Sequence, residues 1–567
     1  MRSFRFLIAA TAALVAHALP HLNATHLAAR QASANLVFCH FMIGIVSDRT
    51  GPAAYDDDMM LAKAAGIDAF ALNIGVDPYT DTQLDFAYDA AATHGMKVFL
   101  SFDFNWWSAA QGAAVGAKIA QYAGRPAQLF VGGRVFASSF AGDGVDVGAL
   151  RAAAGRGVYW APNFHPGRGN FGAVDAALNW MAWENNGNNK APSGGAAVTV
   201  HSGDQSYRGA LAGKGYIAPV SPWFSTHFGP EVPYSKNWVF PSDLLWYMRW
   251  LDILATQPTF VEIVTWNDYG ESHYVGPLSS PHTDDGASKW VNDMPHDGWL
   301  EMAKPFIQAY KAGAPSATPF IASDQLVYWY RVAPKSLNCD ATDTTAQPAN
   351  NASGNYFRGR PDGWQTLADA VFVVALLTAP GTVVVNSGGT AYAYDAPAGA
   401  SAAAVPLRVG AQAFALMRGG ATVLAATSLH AVQDACPCGL YNFNAYVGTV
   451  PPRAGARDAL QADGLAAFAR GMRVPCAPTP SLPAEPPALT PATTTAGFMA
   501  EFPQKRPPTP LQPHSDGQLR SLRWNERELL TEIPGGSTRG GRTGQGVGTY
   551  GFEMCEATAH QVWWDWG

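Results

Sequence analysis

A hydrophobic run that ends in two closely spaced carboxylates is the chemically most informative feature of this sequence. Residues 260–274 read FVEIVTWNDYGESHY, and the first seven are β-branched or aromatic enough to predict a buried strand. Asp268 and Glu271 follow in a polar turn that contains Gly270. Such a pair suits glycosidic-bond hydrolysis, because one carboxyl group protonates the departing oxygen and the other activates water or attacks the sugar.

The same spacing has a second interpretation, which the two residues alone leave open. Asp268 would cap a following helix and Glu271 would complete a capping box, an arrangement that D-x-x-E sequences often form. The rest of the chain has to decide between catalysis and capping.

The composition is typical of a globular protein with an aromatic-rich surface. The 567 residues allow two to four domains, and 12% of them are aromatic, including 18 Trp, which suits stacking on sugar rings. The net charge of −7 comes without a basic block, so we expect no nucleic-acid partner. We predict a monomer whose partner is a polysaccharide substrate, and no cofactor.

The N-terminus has the pattern of a secretory signal peptide. Residues 1–18 contain two Arg, an apolar run and an Ala-x-Ala site, which predicts cleavage after Ala18. An uncleaved membrane anchor is the alternative, but the apolar core is short. No later stretch is apolar enough to span a membrane, so we expect a secreted, extracellular or cell-wall-associated protein with glycosylation sequons at Asn23 and Asn351.

Six cysteines fit an oxidising compartment but do not determine their own pairing, since six thiols allow 15 connectivities. Cys39 lies in an apolar strand and is predicted to be a buried free thiol. Cys436 and Cys438 are too close to form half of a zinc site, and no second pair has suitable spacing, so we predict no metal site.

Residues 35–315 alternate between strand-like and helix-like segments and predict a (β/α)₈ TIM barrel, of the α/β class. A doubly wound sheet would need a Gly-rich phosphate loop after an early strand, and the sequence has none. The predicted strands are Leu36–Met42, Ile67–Ile74, Met96–Phe104, Gln128–Phe140, Gly157–Phe164, Asn179–Trp183, Tyr216–Phe224 and Phe260–Trp266.

Polar and aromatic side chains follow the predicted strands, at the barrel end where such enzymes place their chemistry. Asp103 stands at the end of the third strand and Glu184 at the end of the sixth, whereas His40 is interpreted as a structural barrel histidine. The candidate substrate-binding residues are Asn73, Asn105, Trp106, His165, Trp183, Trp223, His227, Asn267 and His273.

The remainder of the chain divides at about residue 455. Short strand-like runs separated by Gly, Pro and Asn predict a small β-sandwich over residues 316–455, with irregular extensions packed on the barrel as the alternative. Residues 456–567 are rich in Pro and Gly and predict a largely disordered tail.

Long strings in the first half resemble glycoside hydrolase family 71, the fungal α-1,3-glucanases or mutanases. They are HFMIG (40–44), DAFALNIG (68–75), FLSFDFNWW (99–107), YWAPNF (159–164), SPWFSTHF (221–228), YSKNWVFPSDLLWYMRW (234–250) and VEIVTWNDYGESHYVGP (261–277). The resemblance implies hydrolysis of α-1,3-glucan with inversion, Asp268 and Glu271 as the catalytic pair, and Asp103 as a further required aspartate. Glu184 competes with Asp103 for the role of third acid.

Within this implied mechanism we expect Glu271 to be the general acid and Asp268 the base. Inversion requires carboxyl groups about 6.5–9.5 Å apart, and if the two side chains converge, Asp103 becomes the better base. A non-catalytic wall protein that keeps the barrel as a lectin and a glucanase of another linkage specificity are the alternative functions.

Overall fold

A computed structural model describes residues 35–187, 189–228, 236–282, 287–291, 293–343 and 359–452. The predicted signal peptide (1–18), the sequons at Asn23 and Asn351 and the predicted tail (456–567) lie outside the described residues and stay predictions.

A parallel sheet is the centre of the first part of the fold. Eight strands pair in parallel in the order β6–β5–β3–β2–β1–β11–β8–β7, β4 adds an antiparallel edge to β5, and β9 and β10 form a separate hairpin. The strands are β1 (Leu36–Met42), β2 (Ala69–Ile74), β3 (Lys97–Asp103), β4 (Phe130–Val131), β5 (Arg134–Phe140), β6 (Val158–Trp160), β7 (Ala176–Leu178), β8 (Gly215–Val220), β9 (Ser225–His227), β10 (Asn237–Val239) and β11 (Phe260–Ile263).

Helices connect most of these strands, and their ends follow from local sequence. The Asp146 side chain caps one helix by accepting a hydrogen bond from the Ala149 N–H at 2.9 Å, and Gly95 ends another with a φ of 63°. The helices are α1 (Asp56–Ala64), α2 (Thr80–His94), α3 (Gly112–Tyr122), α4 (Val147–Ala154), α5 (Val200–Leu211), α6 (Leu245–Thr256), α7 (Ser288–Val291) and α8 (Asp297–Lys311).

The parallel sheet curls so that its end strands approach each other. The Asp175 N–H donates to Trp160 O and the Leu178 N–H donates to Pro162 O, each at 2.9 Å, which joins the β6 side of the sheet to β7. The predicted α/β class and the parallel sheet are confirmed. Three details differ from expectation. The predicted strand Gln128–Phe140 is a hairpin of β4 and β5, β6 and β7 are joined by an irregular segment, and the predicted strand Asn179–Trp183 lies just after β7.

The inner face of the sheet has an aromatic floor. Alternate residues of a strand point to the same face, so Phe38, Phe99, Phe136 and Phe260 all point inward from four different strands. Their ring centroids lie 4.7–5.7 Å apart for the neighbouring pairs, in edge-to-face or tilted contacts. This apolar layer closes one end of the interior and leaves the other end for polar side chains.

Two antiparallel sheets follow, in agreement with the β-rich texture predicted after residue 316. Their strand orders are β16–β13–β12–β19 and β15–β14–β17–β18, and they share a buried apolar core in which Tyr328 stacks on Phe414. The strands are β12 (Gln325–Arg331), β13 (Ala370–Leu377), β14 (Gly381–Ser387), β15 (Thr390–Ala396), β16 (Gly399–Pro406), β17 (Gln412–Arg418), β18 (Ala421–Thr427) and β19 (Ala445–Val450). The domain limits at 315 and 455 remain a prediction.

Two observations concern the cysteines and the membrane. Cys39 is buried and free, as predicted, and a disulfide joins Cys339 to Cys436. No helix among the described residues is both long and apolar enough to span a membrane.

Candidate active site

The chain that leaves β11 folds back on itself and brings three titratable side chains together. The Thr265 N–H donates to His273 O at 3.0 Å, and the Val275 N–H donates to Thr265 O at 3.1 Å. Between these contacts lie Asp268 and Glu271. No helix begins in the described stretch 264–282, so the helix-capping interpretation does not hold; instead the Glu271 N–H donates to Asp268 Oδ1 at 3.2 Å within the turn.

Glu271 has two cationic or potentially cationic partners. Lys236 Nζ donates to Oε1, and His273 Nε2 lies 3.0 Å from Oε2. His273 is also 3.8 Å from Asp268 Oδ2, while its Nδ1 lies 3.2 Å from the Thr265 hydroxyl oxygen. All these side chains are buried, so the charges interact through a medium less polar than water.

The two carboxyl groups of the turn have opposite pKa shifts. Burial raises the pKa of Asp268, and the negative charge of Glu271 adds to this effect against the opposing effect of His273. Burial also acts to raise the pKa of Glu271, but Lys236 and His273 outweigh it and lower that pKa to about 2. Glu271 is therefore ionised at any physiological pH, and Asp268 is the one that holds a proton more readily.

Asp103 contributes a third carboxyl group from the end of β3. It is 1% exposed, its Oδ1 accepts a hydrogen bond from the Asn105 N–H at 2.9 Å, and the Asn73 side chain is a further hydrogen-bond partner. Burial raises the pKa of Asp103 to about 6, and the charge of Asp268 adds a smaller increase. A carboxyl group with a pKa near 6 can change its protonation state in a weakly acidic medium.

The spacing of the turn pair limits what that pair can do alone. One side-chain ligand atom each of Asp268, Glu271 and His273 lies within 4.8 Å of the others. A water molecule between two carboxyl groups of an inverting glycosidase needs about 6.5–9.5 Å. The side chains thus converge, and a third group is required if hydrolysis proceeds with inversion.

Comparison with known proteins identifies the family. The profile described as Glycosyl hydrolase family 71 matches residues 33–460. The chain belongs to glycosyl hydrolase family 71. The resemblance noted from the sequence motifs is confirmed.

Two curated relatives of this family 71 chain have informative names. A mutanase of Penicillium rubens is 42% identical over 77% of this chain and 94% of its own length. The glucan endo-1,3-alpha-glucosidase agn1 of Schizosaccharomyces pombe is 33% identical over 73% of this chain and 94% of its own length. Among solved structures, a GH99 endo-alpha-mannosidase from a Bacteroides species matches 49% of this chain and 98% of its own length, at 11% identity and a TM-score of 0.35.

Three of the predicted substrate-binding residues of the family 71 chain are at least partly open to solvent. Asn105 is exposed, and Trp106 and His165 are half-buried. The Trp106 ring lies against Gly75, where an added Cβ would come within 3.2 Å of it. His165 Nδ1 is held by Asp143 Oδ2 at 2.5 Å. These three side chains remain proposed sugar contacts.

Others of the predicted set are enclosed by protein. Trp183 and Trp223 are each 1% exposed, and their indole N–H groups donate to Trp223 O and Phe443 O. His227 is held between Asn237 and Asp343. The Asn267 side chain makes two hydrogen bonds to the Met42 backbone. Its Oδ1 accepts from the Met42 N–H at 2.8 Å, and its Nδ2 donates to the Met42 carbonyl oxygen. Their contacts favour structural roles, because none of them offers a free face to a sugar.

The sequence reasoning missed Lys236. It stands in the string YSKNWVF without any spacing relation to the carboxylates, yet it lies just before β10 and reaches Glu271, 35 residues further along the chain. Glu184, the competing third acid, is half-buried and lies in the segment after β7.

Proposed function

We propose that this protein hydrolyses the α-1,3-glucosidic bonds of a glucan. Membership of family 71 and two relatives named mutanase and glucan endo-1,3-alpha-glucosidase support the substrate class. The observation that carries the proposal is the convergence of the buried carboxyl groups of Asp268 and Glu271, whose pKa values are shifted in opposite directions by their surroundings.

The proposed roles differ from those expected from the sequence. Glu271, expected to be the general acid, is kept ionised by Lys236 and cannot supply a proton near neutral pH. Asp268, whose pKa is raised, is the better general acid. Asp103 approaches from another strand and is the better base for activating water. Glu271 then acts through its negative charge, which helps to keep the proton on Asp268.

The proposal also includes the closure of the barrel and the secretion of the protein. We propose that the curled parallel sheet is a (β/α)₈ barrel closed between β6 and β7, because its eight strands follow the order of such a barrel and two hydrogen bonds span the remaining seam. The signal-like N-terminus supports secretion, with cell-wall glucan as an accessible substrate.

The activity is tested with purified α-1,3-glucan, β-1,3-glucan and α-1,4-glucan in parallel. Release of reducing ends from the α-1,3-linked polymer alone is expected. Binding without release would favour the lectin alternative, and release from another polymer would change the linkage assignment. Proton NMR of the first product should show the β-anomer, since inversion at an α-linkage gives β.

The roles are tested by chemical rescue with azide. In Asp103→Ala a small anion can enter in place of the base, and the expected product is a β-glucosyl azide. The matched variant Glu271→Ala should give no azide adduct. Rescue of the Glu271 variant instead would make Glu271 the group beside the attacking water.

A further inference from the structure

A buried ion pair contacts the loop that carries Asp268 and Glu271, here called the site loop (residues 264–282), at both of its ends. The pair consists of Arg49, which lies between β1 and α1, and Asp58 in the first turn of α1. Arg49 Nη1 donates to Asp58 Oδ2 at 2.8 Å, and both side chains are buried. Removing an ion pair from water is costly unless its other polar atoms are also bonded, so the remaining contacts of this pair are informative.

At the start of the site loop, Asp58 binds the side chain of Trp266. The Trp266 indole N–H donates to Asp58 Oδ1 at 2.9 Å, and the fully buried ring packs against Phe70 with centroids 5.0 Å apart. The Trp266 backbone N–H donates to His40 O at 2.7 Å. Both the ring and the backbone are therefore fixed two residues before Asp268.

At the end of the site loop, the same ion pair binds Ser280 and Pro281. The Ser280 hydroxyl donates to Asp58 Oδ1, and Arg49 Nε donates to Pro281 O at 2.9 Å. One carboxylate oxygen of Asp58 thus accepts hydrogen bonds from both ends of the site loop, while the other oxygen is bound by Arg49.

Between these ends, the returning half of the site loop packs on Trp266. The Gly276 N–H donates to Trp266 O at 2.8 Å, and a Cβ added at Gly276 would come within 2.6 Å of the indole ring. On the outgoing half, the Thr265 hydroxyl oxygen accepts the Asp268 N–H at 2.9 Å. A displacement of the Trp266 ring would therefore move both halves of the turn that contains Asp268 and Glu271.

We propose that Asp58, together with Arg49, is a positioning residue for the carboxyl groups of Asp268 and Glu271. Asp58 acts through the two ends of the site loop and needs no contact with the sugar. A displacement of about 1 Å in a reacting group can cost about 100-fold in rate. The role deepens the proposed function and rests on it only for the catalytic parts of Asp268 and Glu271.

Steady-state kinetics on α-1,3-glucan test the role of Asp58. Asp58→Asn should lower kcat by about 10–100-fold and leave KM within about twofold, because the proposed sugar contacts lie on other loops. Asp204→Asn is the matched control, since buried Asp204 binds Arg249 at 2.6 and 2.9 Å and accepts from the Tyr216 hydroxyl, away from the site loop. It also leaves a buried guanidinium without its carboxylate, so it should lose similar stability and keep kcat.

A milder variant carries the test if Asp58→Asn does not fold. Ser280→Ala removes one hydrogen bond at the end of the site loop and keeps the ion pair, so it should fold and lower kcat by about 3–10-fold. Ser242→Ala is its control, because the buried Ser242 hydroxyl donates to Phe240 O at 2.9 Å. That variant should keep the kcat of the wild type.

Hydrogen exchange measures the hold on the site loop without any glucan. Several backbone amides between residues 265 and 276 are hydrogen-bonded within the loop, so exchange in a peptide spanning 264–282 reports its opening. Exchange there should be about tenfold faster in Asp58→Asn and in Ser280→Ala. It should be unchanged in both control variants.

The outcomes separate this role from the proposed function. Faster exchange with lower kcat in Asp58→Asn and Ser280→Ala, but not in the controls, supports the role. Equal losses of kcat in Asp58→Asn and Asp204→Asn would overturn it, since lost stability would then explain both. Unchanged exchange in the folded loop variants, or faster exchange with unchanged kcat, would overturn it as well. If exchange responds as expected but the wild type releases no sugar from any glucan, the ion pair holds the site loop and the proposed function fails.

Discussion

At the scale of single residues, Lys236 decides how Glu271 behaves. Its ammonium group is buried beside the carboxylate, so replacing it with Met leaves a charge without its main partner. Breaking such a buried pair costs about 3–5 kcal/mol, and we expect Lys236→Met to lose that much stability at pH 7. Urea unfolding measures the loss.

The pH dependence and a surface pair give the controls for Lys236→Met. Glu271 has a lowered pKa in the folded protein, so its stabilising effect is present above its ordinary pKa and is lost as the pH falls toward about 2. The wild-type advantage should therefore shrink in acid. Lys190→Met removes a partly exposed ammonium 3.9 Å from Asp362 and should cost at most about 1 kcal/mol. Equal losses in the two variants would contradict the importance of Lys236.

Asp103 should show the opposite relation between pH and stability. Its folded-state pKa of about 6 exceeds the ordinary value, so folding favours its protonated form, and stability falls as the pH rises through about 4 to 6. We expect Asp103→Asn to be inactive yet about 1–3 kcal/mol more stable than the wild type at pH 7. Unfolding at pH 4 and pH 7 measures this, and a gain of the same size at both values would argue against the raised pKa.

The sequence predicted the site residues that lie at the ends of strands. It did not predict the contacts between residues that are far apart in the chain. Asp268 and Glu271 could be selected because they stand just beyond an apolar run, and Asp103 because it ends another such run inside a string that resembles family 71. The charge state of Glu271 could not, because it depends on Lys236, which only the folded chain places beside it. His227 and Trp223 were plausible sugar contacts by type, but buried partners from the later part of the chain occupy them.

At the scale of elements, the hydrophobic runs of the sequence predicted most of the parallel strands correctly, but the structure of the segment after β7 was predicted wrongly. Asn179–Trp183 was predicted as a strand, yet it is a buried loop that carries Trp180 and Trp183 into the interior. Apolar composition reports burial, and a buried loop can be as apolar as a strand. The absence of a helix between β6 and β7 was equally hard to predict. Residues 161–175 have the Gly and Asn content of an irregular connection, but the segment is long enough to hold a short helix.

The disulfide is the second element-scale feature with a measurable effect. It joins Cys339 to Cys436 across 97 residues of sequence and thereby encloses β13 to β18. Closing so long a loop in the unfolded chain stabilises the fold, and we expect Cys339→Ser/Cys436→Ser to lose about 2–5 kcal/mol. Thermal unfolding measures the loss. Reductant should lower the Tm of Cys39→Ala as much as that of the wild type, and should lower the Tm of the double variant less. An equal effect of reductant on the wild type and the double variant would assign the sensitivity to other cysteines.

At the scale of the whole molecule, aromatic side chains join the parallel sheet and its helices to the antiparallel sheets. The Trp329 indole N–H donates to Asp243 O at 2.8 Å, and Trp299 lies between Trp223 and Trp329 at centroid distances of 6.3 and 5.9 Å. Both ring nitrogens of His296 contact carbonyl oxygens, one of Tyr274 and one of Ala445. The antiparallel sheets therefore complete the environment of the loops that carry the carboxylates.

Residues 441–450 make the decisive part of this interface, and two truncations test it. β19 pairs with β12 over six residue pairs, Phe443 O accepts the Trp223 indole N–H, and the Asn444 side chain donates to Trp290 O at 3.1 Å. A chain that ends at 456 keeps all these contacts and nearly the whole family match, so it should fold and act on α-1,3-glucan like the full chain. A chain that ends at 440 loses them and should give little folded or active protein.

Yield, circular dichroism and glucan hydrolysis of the two truncations are compared with those of the full chain. The difference between them is only 16 residues, so a general effect of shortening cannot account for opposite results. A stable and active chain ending at 440 would show that the parallel sheet and its site do not need β19. An unfolded chain ending at 456 would assign a structural role to residues after 456, the last four of the family match included. The expected pattern, one chain active and the other not, places the limit of the functional unit between residues 440 and 456, where β19 joins the sheet that supports the loops of the site.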